Sequence, residues 1–308
     1  MFLAFISIPP DITLWAFELG KPLLKKIAEK ILGAEQADVL WKRIEVVGDI
    51  AVIRKPYRID IPVDLFKALG EELLKEMPYV KSVWLAATPV QGAERVREYL
   101  HLAGEKRSET MYKEHGCVFK LDVAKVYVSP VLGYDHMRVA KQVKDNEKVL
   151  NMFAGFCPYS IIISRFSKPK YVVSIDINEH AVKYARTNIE LNKVAHINEV
   201  ILGDALLITP AIREEFDRIL MPYPDLFKEA IKVAALAIKE NGYIHPHLFV
   251  NGDNKKDSLI KAYEVIVDEL KNIGVIARAI GGHVIRSVTP RRYHVTVDVY
   301  IEKKLYTG

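Results

Sequence analysis

Several features that would assign the chain to a membrane, secreted or metal-binding class are missing from its 308 residues. No apolar run approaches the roughly 18 residues that a membrane-spanning helix needs. The opening residues MFLAFISIPP lack the basic flank of a secretion signal. Two cysteines, Cys117 and Cys157, cannot form a disulfide framework, and neither lies near histidines at a metal-ligand spacing. The sequence therefore predicts a cytoplasmic protein without a membrane anchor or a structural metal.

Two common phosphate-binding motifs are absent as well. The chain contains no G-x-x-x-x-G-K-[ST] loop and no G-x-G-x-x-G turn. The glycine turn that it does contain reads Gly155-Phe156-Cys157-Pro158. Phe156 and Cys157 fill the space that a diphosphate needs at the start of a helix. We therefore expect any cofactor at this turn to be a nucleoside without phosphates.

A strand, turn, helix and second strand of the kind that builds nucleotide pockets occupy residues 149–178. Gly155 lets the backbone approach a ligand, and Asp176 closes the next strand about 20 residues later, where a carboxylate can bind ribose hydroxyls. S-adenosyl-L-methionine fits this unit, with Gly155 near its methionine portion and Asp204, after the third strand, near its adenine. Asp176 and Asp204 could instead cap the helices that follow them.

Strands and helices alternate from residue 149 onward, which predicts a doubly wound α/β sheet with parallel strands. The last two strands have no helix between them and should pair antiparallel, as in the class I (Rossmann-like) methyltransferase sheet. Before this unit, strands around a helix indicate a small α+β domain. The predicted division is a short helical segment over residues 1–40, the α+β domain over 41–115 and the methyltransferase domain over 116–308.

The charge pattern permits a nucleic-acid partner without requiring one. The net charge is +5, and residues 91–115 combine basic side chains with Tyr99 and Tyr112. Such a surface suits RNA, but it equally suits a solvated connection whose glutamates cancel the charge.

The fourth strand end reads Met221-Pro222-Tyr223-Pro224 and lies where a methyl acceptor should sit. The prolines stiffen the turn, and Tyr223 can stack on a base, an interaction worth about 1–3 kcal/mol. The alternative is a proline-stiffened loop whose tyrosine covers the end of the sheet.

These segments resemble the archaeal and eukaryotic tRNA (guanine-37-N1) methyltransferase family, and most closely its archaeal subgroup in wyosine biosynthesis. The likeness extends from about Ile44 to Lys304 and follows the family's order. The segments that carry it are VVGDIAVI, REYLHLAGEKRSETMYKEHGCVFKLDVAKVYVSP, NMFAGFCPYSIIISRF, SIDINEHAVKYARTNIELNK, DRILM and SVTPRRYHVTVDVYIEK.

The resemblance implies a monomeric enzyme that uses S-adenosyl-L-methionine and acts on position 37 in the anticodon loop of tRNA, not on DNA or at a membrane. It also implies a set of cofactor-binding positions. These are Ser129, His136, Phe153, Ala154, Gly155, Asp176, Ile177, Asn178, Asp204, Ala205 and Pro222.

The chain departs from the family pattern where base chemistry is expected. Ser129-Pro130-Val131 replaces S-P-R, Pro222-Tyr223-Pro224 replaces Asn-x-Pro, and residues 135–138 read Asp-His-Met-Arg in place of Glu-Arg-x-Arg. For methylation at N1 of guanosine 37, we expect Asp135 to remove the proton and Arg138 or His136 to stabilise charge on O6. The alternative for these residues is a helix face packed against the cofactor domain.

The flipped base should stack on Tyr223 or Tyr159. Three other functions stay open. The first is methylation at C7 of the tricyclic wyosine precursor, with which the lost Arg and Asn are compatible. The second is aminocarboxypropyl transfer to that precursor, of which DRILM and His245-x-His247 are reminiscent. The third is a non-catalytic RNA-binding relative that keeps the fold.

Overall fold

The computed structural model describes residues 22–40, 43–56, 61–212 and 215–305, arranged around three β-sheets. The first 21 residues of the predicted N-terminal helical segment lie outside these ranges. Within the described ranges, no helix has the length and apolar character needed to cross a membrane. The same ranges hold no group of three or more His, Cys, Asp or Glu side chains arranged to bind a metal ion.

The first sheet belongs to the small α+β region. Its strands have the order β1-β2-β3-β4, with β2 and β3 parallel and the outer pairs antiparallel. Amphipathic helices cover one face, because their apolar residues recur on one side and bury Leu24, Ile27, Phe66 and Leu73. The elements are α1 (Leu23–Leu32), α2 (Ala34–Val39), β1 (Glu45–Val47), β2 (Ile50–Arg54), α3 (Val63–Glu76), β3 (Ser82–Ala86) and β4 (Tyr99–Gly104).

A β-hairpin connects the small region to the large sheet. It consists of β5 (Glu109–Glu114) and β6 (Cys117–Asp122), which pair with each other alone. The predicted domain boundary at residue 115 falls inside this hairpin. Between residues 117 and 130, β6 is the one strand that forms, and its pairing partner is β5 rather than the segment that follows.

The large sheet has the strand order β12-β13-β11-β10-β7-β8-β9. Strands β11, β10, β7, β8 and β9 are parallel, whereas β13 is antiparallel to both β11 and β12, which confirms the class I methyltransferase topology. The elements are α4 (Gly133–Ala140), β7 (Lys148–Asn151), α5 (Pro158–Phe166), β8 (Tyr171–Asp176), α6 (Glu179–Leu191), β9 (Asn198–Leu202), α7 (Ala205–Ala211), β10 (Phe216–Met221), α8 (Phe227–Ala237), β11 (Ile238–Asn251), α9 (Lys255–Asn272), β12 (Val275–Thr289) and β13 (Arg292–Lys304).

The strand order places a ligand crevice at β7. The chain proceeds from β7 to β8 and β9 in one direction, then crosses to β10 and β11 on the other side. Connections that leave neighbouring strands in opposite directions open a crevice outside the carboxyl ends of those strands. The ends of β7, β8, β9 and β10 therefore meet around one space.

Candidate active site

A cavity of about 300 Å³ lies at these four strand ends, within the usual range for small-molecule sites. Its wall is formed by the turn after β7, the residues that follow β8, β9 and β10, the start of α4, and a loop from the small region. All eleven predicted cofactor positions line it, as does Tyr223. The structure thus brings together in space residues that are spread over nearly 100 positions of the sequence.

A hydrogen bond links the backbone of Gly155 directly to the side chain of Asp176. The backbone N–H groups of Gly155 and Asn178 donate to the Asp176 carboxylate at 2.6 and 2.9 Å. Gly155 has φ of +57°, and no atom lies within 4 Å of where a Cβ would be, so backbone conformation rather than space favours glycine. Burial raises the pKa of Asp176 and the charge of Glu94 adds to this, while the N–H donors oppose it.

The residues that follow β8 and β9 have two roles, because they cap the next helices and also line the cavity. The Asn178 side chain accepts hydrogen bonds from the first turn of α6, and Asp204 accepts one from the Leu206 N–H at 2.8 Å. Capping fixes their position at the cavity edge. The two interpretations of Asp204 in the sequence, cap and pocket residue, are therefore compatible.

The cavity suits a nucleoside cofactor without phosphates. Carboxylates stand at the ends of β8 and β9, a left-handed glycine turn lies beside them, and most of the other lining is apolar or aromatic. Among the described lining residues, Arg95 is the sole lysine or arginine. A diphosphate would require more donors than this. Asp176 and Asp204 would hold the ribose and adenine of S-adenosyl-L-methionine, and the Gly155 turn would hold its methionine portion.

Tyr223 lines the cavity at the turn after β10, where the sequence predicted a stacking residue for the methyl acceptor. Its ring meets Phe153 edge-on with centroids 5.2 Å apart. The Arg95 guanidinium lies between two rings, 4.7 Å from the centroid of Tyr223 and 4.5 Å from that of Tyr127. This aromatic and cationic cluster can receive a planar base.

The loop over residues 91–96 is a part of the site that the sequence did not predict. A bridge between Gln91 and Val96 closes it, and Ala93, Glu94 and Arg95 line the cavity. The sequence pattern placed Arg95 in a basic cluster for RNA or solvent. Arg95 instead reaches the cavity, because the hydroxyl of Tyr223 donates to the Gly92 carbonyl at 3.4 Å and fixes the loop against β10.

Asp135, predicted as the base, does not line the cavity. Its side chain is fully buried and its carboxylate accepts hydrogen bonds from Arg138 Nε at 2.7 Å and from the Tyr159 hydroxyl. Burial raises the pKa of Asp135, but His247 and Arg138 outweigh this and hold it well below its ordinary value. A weakly basic carboxylate that is already hydrogen-bonded on both oxygens is poorly suited to remove a proton.

Arg138, predicted to stabilise charge on the base, also lies outside the cavity wall. It joins Asp135 to Asp298 of β13, which it contacts at 2.5 Å. Asp298 also accepts from His245, and His245 contacts Arg218 at 2.6 Å. We call the set of Asp135, Arg138, His245, His247, Arg218, His294 and Asp298 the interior network. The histidines of His245-x-His247 thus belong to the core.

A further carboxylate lines the cavity close to α4. Glu114 of β5 and His136 of α4 both form part of the wall, and the Glu114 Oε1 to His136 Nδ1 distance is 2.6 Å. The Tyr112 hydroxyl donates to the other Glu114 oxygen at 2.8 Å. Sequence reasoning missed Glu114, because no spacing rule links it to a helix 22 residues later.

Comparison with known proteins gives consistent results. A family model described as TRM5/TYW2 methyltransferase domain matches residues 110–276. The chain is 41% identical to tRNA 4-demethylwyosine(37)-methyltransferase Taw21 of Saccharolobus solfataricus, over 91% of this chain and 98% of that protein. It is 34% identical to tRNA (guanine(37)-N(1))-methyltransferase Trm5b of Pyrococcus abyssi, over 96% of this chain and 88% of that one.

Structural similarity supports the same grouping. The crystal structure of Methanocaldococcus jannaschii Trm5 in complex with adenosine superimposes with a TM-score of 0.74 at 31% identity. The superposition covers 91% of this chain and 79% of that one.

Proposed function

This chain belongs to the TRM5/TYW2 methyltransferase family and is a tRNA methyltransferase that depends on S-adenosyl-L-methionine, and we propose that its acceptor is 4-demethylwyosine at position 37. In this proposal, C7 of the tricyclic base receives the methyl group. The observation that carries the proposal is the acceptor end of the cavity, where aromatic rings take the place of the polar residues expected for guanine.

The residues at the acceptor end of the cavity select the acceptor base by stacking on its ring. Tyr127 and Tyr223 offer ring surfaces on either side of the Arg95 guanidinium, and Phe153 packs edge-on against Tyr223. The turn Met221-Pro222-Tyr223-Pro224 offers no side-chain amide or carboxylate. A tricyclic base presents a larger π-face than guanine and therefore gains more from stacking. Guanine recognition depends more on hydrogen bonds to the Watson–Crick edge.

The cofactor supplies an electrophilic methyl group on a sulfonium. The residues of the chain contribute position: Asp176 and Asp204 hold the nucleoside, and Tyr223 holds the acceptor base in line with the methyl group. The base must leave the stack of the anticodon loop to enter the cavity, and tRNA loops permit this at modest cost. The identity to Taw21, which exceeds that to Trm5b, supports this choice of acceptor.

N1 of guanosine 37 is the second candidate. Arg95 favours it, because a guanidinium between two rings could stabilise the negative charge that develops on O6 as the N1 proton leaves. The identity to Trm5b over 96% of this chain also supports it.

Mass spectrometry of nucleosides distinguishes the candidates. The protein is incubated with methyl-labelled cofactor and either unmodified tRNA transcript or tRNA that carries 4-demethylwyosine at position 37. We expect label on the tricyclic nucleoside and little on guanosine. Label on guanosine 37 of the transcript would support the second candidate. Transfer of an aminocarboxypropyl group, detected by its mass, would contradict both.

Calorimetric titration with S-adenosyl-L-methionine serves as the accompanying control. Binding without transfer to either tRNA would point to another acceptor. Absence of binding would contradict every enzymatic assignment.

A further inference from the structure

One edge of the large sheet continues well past the end of β10, on the side where the cavity lies. Met221, the last residue of β10, pairs with Pro246 of β11, and β11 continues to Asn251. At about 3.3 Å per residue, this part of β11 rises roughly 16 Å above the end of β10. β13 pairs with it, and β12 pairs with β13. We call the raised segments, residues 247–251, 283–289 and 292–296, the strand extension.

The register determines which side chains of the strand extension point to the face of the sheet that carries α4 and α5. His247 contacts the Tyr159 hydroxyl of α5 at 3.2 Å, so His247 is on this face. Alternate residues of a strand share a face, and so do directly paired residues of neighbouring strands. Phe249 lies two residues beyond His247, and the register pairs it with His294 and His294 with Arg286. Arg286 therefore points to the same side as His247.

This face of the strand extension carries guanidinium groups without carboxylate partners. Residues 283–297 contain three arginines and no aspartate or glutamate. Arg292 is exposed and lies over the Phe249 ring, 5.1 Å from its centroid. Within the part of the chain that the structure describes, neither Arg292 nor Arg286 forms an ion pair, whereas Arg291 at the turn has a carboxylate at 3.9 Å. Planar cations of this kind bind phosphate groups.

An exposed aromatic residue lies at the foot of the strand extension. Tyr134 of α4 is 64% exposed, and its ring contacts that of His283 with centroids 4.7 Å apart. His283 is aligned through Thr296 with His247, one residue beyond the level at which β10 ends. The sheet order β12-β13-β11-β10 places it roughly 14 Å from β10. The solvent-exposed side of the Tyr134 ring can stack on a base at the height of the cavity.

The strand extension and the cavity belong to one continuous surface. Burial lowers the pKa of His294, and the charges of His247, Arg286 and Arg95 lower it further. Arg95 lines the cavity, so one cation of the cavity and one of the extension lie near the same imidazole. A nucleotide strand whose base enters the cavity can therefore continue across Tyr134 and Arg286.

We propose that the strand extension binds the RNA strand next to the flipped nucleotide, with Arg286 and Arg292 on its phosphates and Tyr134 stacked on a neighbouring base. The anticodon loop is the part of tRNA that fits, because a single-stranded loop exposes phosphates and unstacked bases together, whereas a duplex covers its base faces. The inference rests on the proposed tRNA substrate but not on which atom of the base is methylated.

Fluorescence anisotropy with end-labelled tRNA transcript tests the arginines, by the dissociation constant of the full chain at several salt concentrations. Arg286→Gln and Arg292→Gln should each weaken binding about tenfold or more, because a charge-assisted hydrogen bond to phosphate is lost. Each should also reduce the slope of log Kd against log salt by about 0.7, the value for one phosphate of a single strand. The matched control is Arg278→Gln, which removes an arginine that lies 5.1 Å over Tyr300 at the other end of β12. It should change neither quantity, and Arg292→Lys should keep the wild-type slope.

Tyr134 gives a readout that charge does not affect. Tyr134→Ala should weaken binding about fivefold to hundredfold and leave the salt slope unchanged, because stacking releases no counterions. Tyr134→Phe keeps the ring and should bind as the wild type does. The affinity for S-adenosyl-L-methionine, measured by calorimetry, should change less than threefold in every variant, which verifies that the fold and the cavity are intact.

Nuclease footprinting locates the contacts on the tRNA. The wild type should protect the nucleotides on either side of position 37, and Arg286→Gln should lose this protection while it keeps protection elsewhere. Wild-type affinity in both arginine variants, or equal losses in Arg278→Gln, would overturn the proposal. Lost protection only outside the anticodon loop would overturn it as well, since another part of the tRNA would then bind the extension.

Failure of the proposed function is recognised separately. A wild type that binds tRNA without methylating it would contradict the proposed function alone, and the binding variants would still test the surface. A wild type that binds no tRNA would contradict both.

Discussion

Adjacent residues of α4 have very different polar environments. His136 faces the cavity and pairs with Glu114, and its Nε2 has no partner among the described residues. Asp135, one position earlier, faces the interior network, where Tyr159 and Arg138 occupy its oxygens. Successive side chains of a helix point about 100° apart, so neighbours in sequence can lie on different surfaces. A polar pair on the cavity wall can influence a bound ligand, whereas a buried network of charged groups mainly fixes structure.

The largest expected effect comes from breaking the interior network at Asp298. Asp298→Ala removes the partner of Arg138, at 2.5 Å, and of His245, at 2.7 Å. Loss of one partner from a buried ion pair costs about 3–5 kcal/mol, because the remaining charge has no solvation. Urea unfolding should show this decrease in the free energy of unfolding. Glu302→Ala, which breaks an exposed pair with Arg278, should cost less than about 1 kcal/mol. Equal losses of stability in both variants would contradict the expected difference between the buried network and an exposed ion pair.

Asp135→Asn tests directly whether the two surfaces of α4 have separate roles. We expect a loss of roughly 1–3 kcal/mol in the free energy of unfolding, because a charged acceptor becomes a neutral one inside the network. The rate constant for methyl transfer, measured in a single turnover on folded protein, should stay within about threefold, because Asp135 is outside the cavity wall. A fall of a hundredfold or more in a stably folded variant would restore Asp135 as the base.

His294 should make the interior network sensitive to acid. Burial, followed by the charge of His247, lowers the pKa of His294 to about 2. The unfolded chain takes up this proton near pH 6.5, whereas the folded protein does not. Stability is therefore complete above pH 6.5 and is lost as the pH falls toward 2. The slope approaches about 1.4 kcal/mol per pH unit for each such proton.

Unfolding measurements between pH 6.5 and 5 test this, because carboxylates titrate mainly below that window. His294→Gln should reduce the slope by the contribution of one proton. Burial also lowers the pKa of His245, so His245 should still contribute to the slope in this variant. The exposed His196→Gln should leave the slope unchanged. An identical slope in His294→Gln and the wild type would show that His294 is protonated in the folded state.

The sequence predicted the parts of the molecule that depend on local pattern. The parallel sheet, its antiparallel end and the strand-end residues Gly155, Asp176 and Asp204 follow from periodicity and spacing. What it could not predict depends on contacts between distant segments. The loop over residues 91–96 reaches the cavity only because the small region packs beside β10. Asp135 lies 3.4 Å from His247 of β11, more than 100 residues away, and its partner Arg138 is itself bound to Asp298 of β13.

The smallest effect should come from Tyr112→Phe, which alters the cavity pair without removing either member. The change deletes one hydrogen bond to Glu114, 2.8 Å long, and keeps the ring that packs on Phe119. Such a bond contributes about 0.5–1.5 kcal/mol, so the free energy of unfolding, measured with urea, should fall by about that amount. The pKa of Glu114 should move up toward its ordinary value, because the hydroxyl is one of the groups that lower it.

Cofactor affinity should not change, and Tyr79→Phe, on the exposed surface of the small region, serves as the control. An unaltered free energy of unfolding would show that His136 alone fixes Glu114, and a loss above about 3 kcal/mol would show that the tyrosine hydroxyl holds the pair in place.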